Sequence, residues 1–175
     1  MTQSNKVKAV ILGAGAPHRG ETPSALLKLG SGRLSLNWII DALSFPNLDI
    51  HFVAGYKADS IINSFPDIKF SINTNWQKMS STGSLLSEEI DFDNTLLVSY
   101  ADILFRKDIV KKLLDSTKPI SIIWDSQYNH KKKYIKKHSQ FQEKTQVINN
   151  KVLRLGIDLP NNLWNGAFVG LIKIE

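Results

Sequence analysis

The stretch AVILGAGAPHRG, residues 9–20, gives the first indication of the fold class. It opens with an apolar run at residues 9–12, which is typical of a buried strand, and the run stops at Gly13. Gly13 and Gly15 then predict a tight turn. A turn in this place can direct backbone N–H groups at an anion, and a purely structural turn is the alternative.

Strands and helices alternate after this turn. The pattern predicts strands at residues 8–12, 49–54, 68–72, 95–99 and 119–124, and helices at residues 34–45, 57–65, 82–90 and 107–114. This order predicts an α/β fold with three α/β/α layers, a Rossmann-like arrangement around a mostly parallel mixed sheet. In such a sheet, ligands bind outside the carboxyl ends of the strands.

The last third of the chain departs from the alternation. Residues 146–148 and 152–155 predict a hairpin, and residues 167–174 predict one more strand. Because no repeat or low-complexity linker interrupts the sequence, we expect a single domain over residues 1–175.

The composition excludes several classes of protein. The chain has 175 residues, of which 42% are hydrophobic, and it has no cysteine, so disulfides and thiolate metal sites are excluded. The N-terminus has no apolar signal segment, and no apolar run approaches the roughly 20 residues of a membrane helix. We therefore expect a cytoplasmic protein with no membrane partner.

The net charge of +6 comes largely from one basic segment, residues 130–138 (HKKKYIKKH). A solvated loop or exposed helix face explains this segment, and a basic lid over a phosphorylated substrate is an alternative. Nucleic-acid binding would require aromatic stacking platforms or a recognised module, and neither is visible nearby. We expect no nucleic-acid partner.

The glycine turn differs from the two best-known phosphate-binding loops. The dinucleotide fingerprint requires a third glycine where this chain has His18, and an acidic residue where it has Gly55. A Walker loop requires Gly-Lys-Ser/Thr, which is also missing. Arg19 nevertheless favours a phosphate ligand, because a guanidinium binds phosphate in a bidentate manner.

Two further groups of residues could carry chemistry. Asp102 follows a buried strand, where a carboxylate could hold a divalent cation that bridges nucleotide phosphates. Capping of the helix before Lys107 is the alternative role. The small residues Ser80, Ser81, Thr82, Gly83 and Ser84 lie at the start of a predicted helix, where they could cap it or contact a base or ribose.

Taken in order, these segments resemble the nucleotidyltransferases of the sugar-1-phosphate type. AVILGAGAPHRG with Pro23 and Leu26-Leu27 is similar to the opening glycine-rich signature of that family. The segments GYKAD (55–59), NTNW (73–76), SYADILFR (99–106) and GAFVGL (166–171) resemble the branch that activates phosphocholine or phosphonates with CTP. That branch includes cytidylyltransferase domains fused to phosphoenolpyruvate mutases.

The resemblance implies a role for each candidate residue. Residues 13–19 would wrap the triphosphate, Asp102 would hold Mg²⁺, and residues 82–84 would lie near the base and sugar. An oxygen of a phosphorylated or phosphonate acceptor would attack the α-phosphorus, and pyrophosphate would leave. The implied nucleotide-binding residues are Leu12, Gly13, Ala14, Gly15, Thr82, Gly83 and Ser84, and the implied catalytic residues are Arg19, Lys28 and Asp102.

Three departures from the family pattern bear on activity. Ser24 stands where the family has a lysine, for which Lys28 or Arg33 could substitute, and Ala101 stands where the family has glycine. The second metal carboxylate would lie beyond Glu175, so we expect the usual C-terminal segment to be missing; Asp125 and Asp158 are the available stand-ins. A catalytically degenerate domain that binds a nucleotide or phosphometabolite is therefore the alternative function.

The acceptor, the base and the oligomeric state are left open by the sequence. A quaternary ammonium acceptor such as choline would require an aromatic cage. The aromatic residues available for a cage are Trp76, Tyr128, Tyr134 and Trp164, and core or rim packing is the alternative role of each.

Overall fold

The fold is described from a computed structural model that covers residues 6–18, 20–86, 95–128 and 142–175. In these ranges the chain has a mixed α/β architecture with a large, mostly parallel sheet, which confirms the predicted fold class. The contacts of the chain form two compact units. Of the described residues, unit 1 comprises those up to Ser121 together with Ile172–Glu175, and unit 2 comprises those from Ile122 to Leu171. The single domain over residues 1–175 stays a prediction.

Unit 1 contains a parallel sheet and its helices. The strands are β1 (Val7–Leu12), β2 (Leu48–Ala54), β3 (Lys69–Ile72) and β4 (Thr95–Tyr100), and the helices are α1 (Ser35–Leu43), α2 (Ala58–Ser64), α3 (Ser81–Leu86) and α4 (Lys107–Leu114). The strands are parallel in the spatial order β3-β2-β1-β4. Their carboxyl ends therefore lie at one edge of the sheet, where α/β proteins bind ligands.

Strand β1 lies inside this sheet, between β2 and β4. Val10 pairs with His51 of β2 on one side and with Val98 of β4 on the other. Ala9, Val10 and Ile11 are all completely buried. A continuous apolar run is expected for a parallel strand that is covered on both faces, so the run at residues 9–12 is explained by its place in the sheet.

The helices follow from apolar residues at helical spacing. In α1, Leu36, Ile39 and Leu43 are completely buried, and the helix ends shortly before Pro46. The predicted bounds of α4 are confirmed. The helix predicted at residues 82–90 is described from Ser81 to Leu86, and its last residues lie outside the described ranges.

Unit 2 is predominantly antiparallel. It contains most of β5 (Ile120–Asp125), β6 (Lys144–Ile148), β7 (Lys151–Gly156) and most of β8 (Gly166–Ile174). Strand β6 pairs with both β7 and β8 in the antiparallel sense, which confirms the predicted hairpin. The hairpin turn places Asn149 and Asn150 at φ 50° and 58°, the left-handed region that asparagine tolerates well.

No helix in the described part of the chain is both long and apolar enough to cross a membrane.

The two glycines of the turn after β1 have different environments. A β-carbon on Gly13 would lie 2.2 Å from Cζ of Phe52, whose ring is completely buried, and 3.0 Å from Cβ of Ala101. A β-carbon on Gly15 would have no atom within 4 Å. Packing therefore requires glycine at position 13 and leaves position 15 open.

This difference predicts unequal stability of two variants. Gly13→Ala should lower the free energy of unfolding by about 1–3 kcal/mol, because the buried Phe52 ring cannot move aside without disturbing the core. Gly15→Ala should change it by no more than about 0.5 kcal/mol. Urea denaturation of both variants measures the difference, and equal stability would contradict the packing role of Gly13.

Candidate functional site

Backbone hydrogen bonds join the ends of the parallel strands. The Gly13 amide donates to the Val53 carbonyl at 3.0 Å, and the Ala101 amide donates to the Leu12 carbonyl at 3.0 Å. These two bonds continue the ladders of β1 with β2 and with β4 past the last strand residues. The loop that carries Asp102 is therefore held beside the glycine turn, here defined as residues 13–18.

The free backbone amides of the glycine turn lie after Gly13. The Gly13 amide is already bonded to Val53, whereas the amides of Ala14, Gly15 and Ala16 donate to no residue in the described ranges. Gly15 is exposed and has open space around it. Residues 14–16 can therefore present N–H groups to an anion, while Leu12 and Gly13 hold the turn in the sheet.

Of the cationic candidates for phosphate binding, Lys28 and Arg33 lie in the described ranges. Arg19 and the basic segment at residues 130–138 lie outside the described residues. Lys28 is exposed, and its ammonium makes no hydrogen bond or ion pair with another described residue. Arg33, its proposed substitute, pairs with Asp41 at 2.8 Å and lies 5.0 Å from the Trp38 ring centroid. Of Lys28 and Arg33, only Lys28 has a charge without a partner among the described residues.

Asp102 is exposed at the carboxyl end of β4. Its carboxylate makes no hydrogen bond or ion pair with any other residue that the structure describes. The N-cap of α4 is Arg106, and no side chain caps that helix, so the capping alternative for Asp102 is wrong. The carboxylate is therefore available to a ligand.

The alanine before Asp102 does not strain the backbone. Among the described residues, the non-glycine positions with positive φ are Lys57, Asn149 and Asn150, so Ala101 has an ordinary backbone conformation. Its side chain is buried against the place where a side chain of Gly13 would lie. The family's glycine at this position is thus not required here by backbone conformation.

The surroundings of Asp102 fit a cation that is bound together with phosphates. The described ranges contain no group of three or more His, Asp or Glu side chains that could hold a metal ion by themselves. Mg²⁺ in nucleotide sites is commonly held by one or two carboxylates and by the phosphates of the substrate. Asp125, a proposed stand-in, accepts a hydrogen bond from the Gln127 amide at 2.9 Å, as a turn-forming aspartate does.

The three candidates at residues 82–84 have separate roles in the structure. The Ser84 hydroxyl is buried and accepts a hydrogen bond from the Asn73 side-chain amide at 2.9 Å. The Gly83 amide donates to the Ser80 hydroxyl at 3.1 Å, which is the predicted capping. Thr82 is exposed and makes no hydrogen bond through its hydroxyl in the described ranges. Of the two hydroxyl side chains, that of Thr82 is the one open to a ligand.

Asn73 is a structural residue of the site whose role the sequence did not reveal. Its side chain accepts a hydrogen bond from the Asn75 amide at 2.9 Å while it donates to Ser84, so it joins the end of β3 to α3. Its own amide donates to the Ala54 carbonyl at 2.8 Å. A short polar residue directly after a strand is the only sequence signal for this role.

The aromatic residues considered for a cage pack against protein groups. Trp76 contacts Tyr56 edge-on, with ring centroids 5.5 Å apart, and also packs against the core. In unit 2, Tyr128 and Trp164 have centroids 6.3 Å apart, and the Lys144 ammonium lies 6.0 Å from the Trp164 ring. Burial, with a smaller contribution from the charge of Asp125, raises the pKa of Tyr128. Tyr134 lies outside the described residues.

Removing the Asn73 side chain tests the link between β3 and α3. Asn73→Ala should lower the free energy of unfolding by about 1–3 kcal/mol, because it takes hydrogen bonds from the Asn75 amide and the buried Ser84. Thr82→Ala, the matched control on the same helix, should stay within about 0.5 kcal/mol of the wild type. Thermal or urea unfolding measures both, and a neutral Asn73→Ala would contradict this role.

The chain matches no protein-family model and no curated protein in sequence. Its fold is shared with solved structures. The inositol-1-phosphate CTP transferase from T. maritima is 16% identical with a TM-score of 0.69, over 98% of this chain and 71% of that one. A proposed glucose-1-phosphate thymidylyltransferase from Bacillus anthracis is 15% identical with a TM-score of 0.70, over 97% and 71%.

A third solved structure is the CTP:phosphocholine cytidylyltransferase from Streptococcus pneumoniae. It is 17% identical with a TM-score of 0.63, over 97% of this chain and 71% of that one. At this level of identity the comparison concerns the fold, and the link to phosphoenolpyruvate mutases stays a prediction. The chain has the Rossmann-like fold of nucleotidyltransferases.

Proposed function

We propose that this chain is an Mg²⁺-dependent nucleotidyltransferase domain that acts in the cytoplasm. It would transfer a nucleotidyl group, cytidylyl by preference, from a nucleoside triphosphate to a phosphorylated or phosphonate small molecule. One observation carries the proposal: the amides of residues 14–16 and the carboxylate of Asp102, which bond to no other residue in the described ranges, occur on neighbouring loops at the carboxyl edge of a parallel sheet. This edge is the usual ligand site of such sheets.

In this proposal, the amides of Ala14, Gly15 and Ala16 bind phosphate oxygens of the triphosphate. Because β1 is buried and hydrogen-bonded on both sides, the turn needs little reorganisation when the nucleotide binds. Arg19 and Lys28 would neutralise phosphate charge, and the Thr82 hydroxyl would contact the ribose or base. Mg²⁺, held by Asp102 and the phosphates, would supply further charge neutralisation.

The proposed reaction is a displacement at the α-phosphorus. An oxygen of the acceptor's phosphate or phosphonate forms a new bond to the α-phosphorus, and the bond from that phosphorus to the bridging oxygen of the β-phosphate breaks. The electron pair of that bond leaves with pyrophosphate. Catalysis of this kind depends on positioning and charge neutralisation, which suits a site built from backbone amides, cations and one carboxylate.

The preference for CTP is supported by the activities named for two proteins that share the fold. The T. maritima and S. pneumoniae proteins are described as CTP-dependent transferases. The B. anthracis protein is described as a proposed thymidylyltransferase, which names a different base. The base must therefore be compared directly by experiment.

A domain that binds the nucleotide without transferring it is the second candidate function. Ser24 stands where the family has a lysine, and its carbonyl accepts a hydrogen bond from the Ser35 hydroxyl. The missing lysine would weaken charge neutralisation in the transition state more than in the bound substrate. In this second candidate function, the domain would bind the nucleotide but would not release pyrophosphate from it.

Calorimetric titration with CTP, UTP, ATP and GTP in the presence of Mg²⁺ tests the proposal. We expect CTP to bind most tightly, and Asp102→Ala to weaken CTP at least about tenfold, or ~1.4 kcal/mol, because the metal loses its protein carboxylate. Asp115→Ala is the matched control, because this exposed carboxylate pairs with Lys111 at 2.6 Å at the C-terminal end of α4.

The outcomes separate the candidate functions. Release of pyrophosphate from CTP in the presence of a phosphorylated or phosphonate acceptor would support the transferase. Tight CTP binding without pyrophosphate release, whichever acceptor is added, would support the binding domain. If no nucleotide binds in the presence of Mg²⁺, both candidates are wrong. A loss of affinity in Asp115→Ala equal to that in Asp102→Ala would contradict the role given to Asp102.

The open space at Gly15 allows a test of the phosphate contact alone. Gly15→Ala should weaken CTP about tenfold, because the added methyl group occupies space that a phosphate would use, while stability is retained. Gly156→Ala is the matched control, since its β-carbon also has no atom within 4 Å. Titration of both variants measures the effect, and unchanged affinity of Gly15→Ala would place the phosphates elsewhere.

A further inference from the structure

Three contacts tie the glycine turn and the residues after it to the loop that follows β2. The Tyr56 amide donates to the Ala14 carbonyl at 2.8 Å, at the start of the turn. The Tyr56 hydroxyl donates to the Glu21 carbonyl at 3.2 Å, and the Lys57 ammonium bonds the Glu21 carboxylate at 3.3 Å. Two consecutive residues thus hold Ala14, which carries the first of the open amides, and Glu21, which follows the turn.

The backbone of Lys57 has an unusual conformation. Its φ and ψ are 49° and 40°, in the left-handed region that costs energy for a residue with a side chain. Lys57 is the N-cap of α2, but its side chain makes no capping hydrogen bond. Its ammonium instead pairs with Glu21 and lies 5.4 Å from the Tyr56 ring centroid. The side chain thus serves the turn and not the helix.

The position of Tyr56 depends in turn on Trp76. The Tyr56 ring contacts Trp76, which packs against the core. Trp76 also lies close to Gly55, because a β-carbon on Gly55 would be 2.9 Å from the indole. The same β-carbon would lie 2.6 Å from the Ala14 carbonyl oxygen. Glycine at position 55 therefore lets the loop after β2 and the glycine turn approach each other closely.

The Lys57 charge persists at neutral pH. Desolvation lowers the pKa of its ammonium, but hydrogen bonds with Tyr56 and Glu21 and their charges outweigh this and raise the pKa above its ordinary value. For a lysine with a raised pKa, the stabilisation is present at lower pH and is lost only when the pH rises through that pKa. The Lys57 ammonium therefore keeps its charge throughout the neutral range.

We propose that Tyr56 and Lys57 are positioning residues that clamp the glycine turn, through Ala14 and Glu21, in the conformation that binds the nucleotide phosphates. This inference rests on the proposed function. The clamp orders the turn before the ligand arrives, so less conformational entropy is lost when phosphate binds. Tyr56 and Lys57 act through the turn and need no contact with the nucleotide.

Three variants and a matched control test the clamp. Tyr56→Phe removes the hydroxyl, Lys57→Met removes the charge, and Lys57→Gly removes the side chain while allowing the left-handed conformation without strain. Lys69→Met is the control, because it breaks another exposed ion pair, with Asp49 at 2.7 Å, at the amino ends of β2 and β3. Thermal unfolding confirms that each variant is folded.

Backbone order in the nucleotide-free protein is the first measurement. In the wild type, the ¹⁵N order parameters of the Gly15, Ala16 and His18 amides should be about 0.85, and in Tyr56→Phe and both Lys57 variants they should fall to about 0.6. Lys69→Met should leave them unchanged. If the order parameters do not fall in the clamp variants, or fall equally in the control, the clamp is wrong.

Nucleotide affinity is the second measurement. We expect CTP with Mg²⁺ to bind about threefold to tenfold more weakly to each clamp variant, as expected for one lost surface hydrogen bond or ion pair, and equally to the control. Increased turn motion with unchanged affinity would overturn the positioning role. Failure of the wild type to bind any nucleotide would overturn the proposed function and this role with it, and that outcome is recognised in the wild-type titration alone.

Discussion

Close packing where β1 ends is the constraint on which the rest of the site depends. Gly13 has no side chain, and the buried ring of Phe52 lies where that side chain would be. The absence of a β-carbon lets β1 continue its hydrogen bonds into Val53 on one side and Ala101 on the other. The turns after three parallel strands are consequently held together at one edge of the sheet.

The same constraint separates the structural part of the glycine turn from its open part. The amide of Gly13 is bonded within the sheet, so the next amides, at residues 14–16, are the first that an anion could reach. A buried strand before the turn, and the contacts of Tyr56 and Lys57 beside it, limit how far those amides can move. A phosphate site of this kind gains affinity because its groups are already ordered.

Much of the fold could be predicted from periodicity and from glycine and proline. The buried run of β1, the apolar spacing of α1 and the Asn149-Asn150 turn each depend on local backbone preferences, which a sequence displays directly. Element bounds were less predictable where tertiary contacts intervene. Lys57, for example, adopts the left-handed conformation and stays outside α2, which begins at the next residue, Ala58.

The candidate site could be predicted as a set of residues but not as a set of roles. Gly13 and Gly15 are alike in sequence, and only the position of Phe52 makes one a packing residue and the other an open one. Ser84 and Thr82 are both small hydroxyl residues, and only the tertiary structure shows that Ser84 is buried and bonded to Asn73 while Thr82 is exposed. Such distinctions depend on residues distant in the chain, which no local pattern records.

By itself, the sequence determined the α/β class, the order of the elements and the edge of the sheet where the candidate residues gather, because these follow from local periodicity and the parallel connection of strands. Only the tertiary structure decided which of those residues have free groups. The Gly13 amide is hydrogen-bonded and Arg33 pairs with Asp41, whereas the Asp102 carboxylate and the amides of residues 14–16 have no partner in the part of the chain that the structure describes. The physical reason is that a hydrogen bond or ion pair depends on the distance between atoms in space.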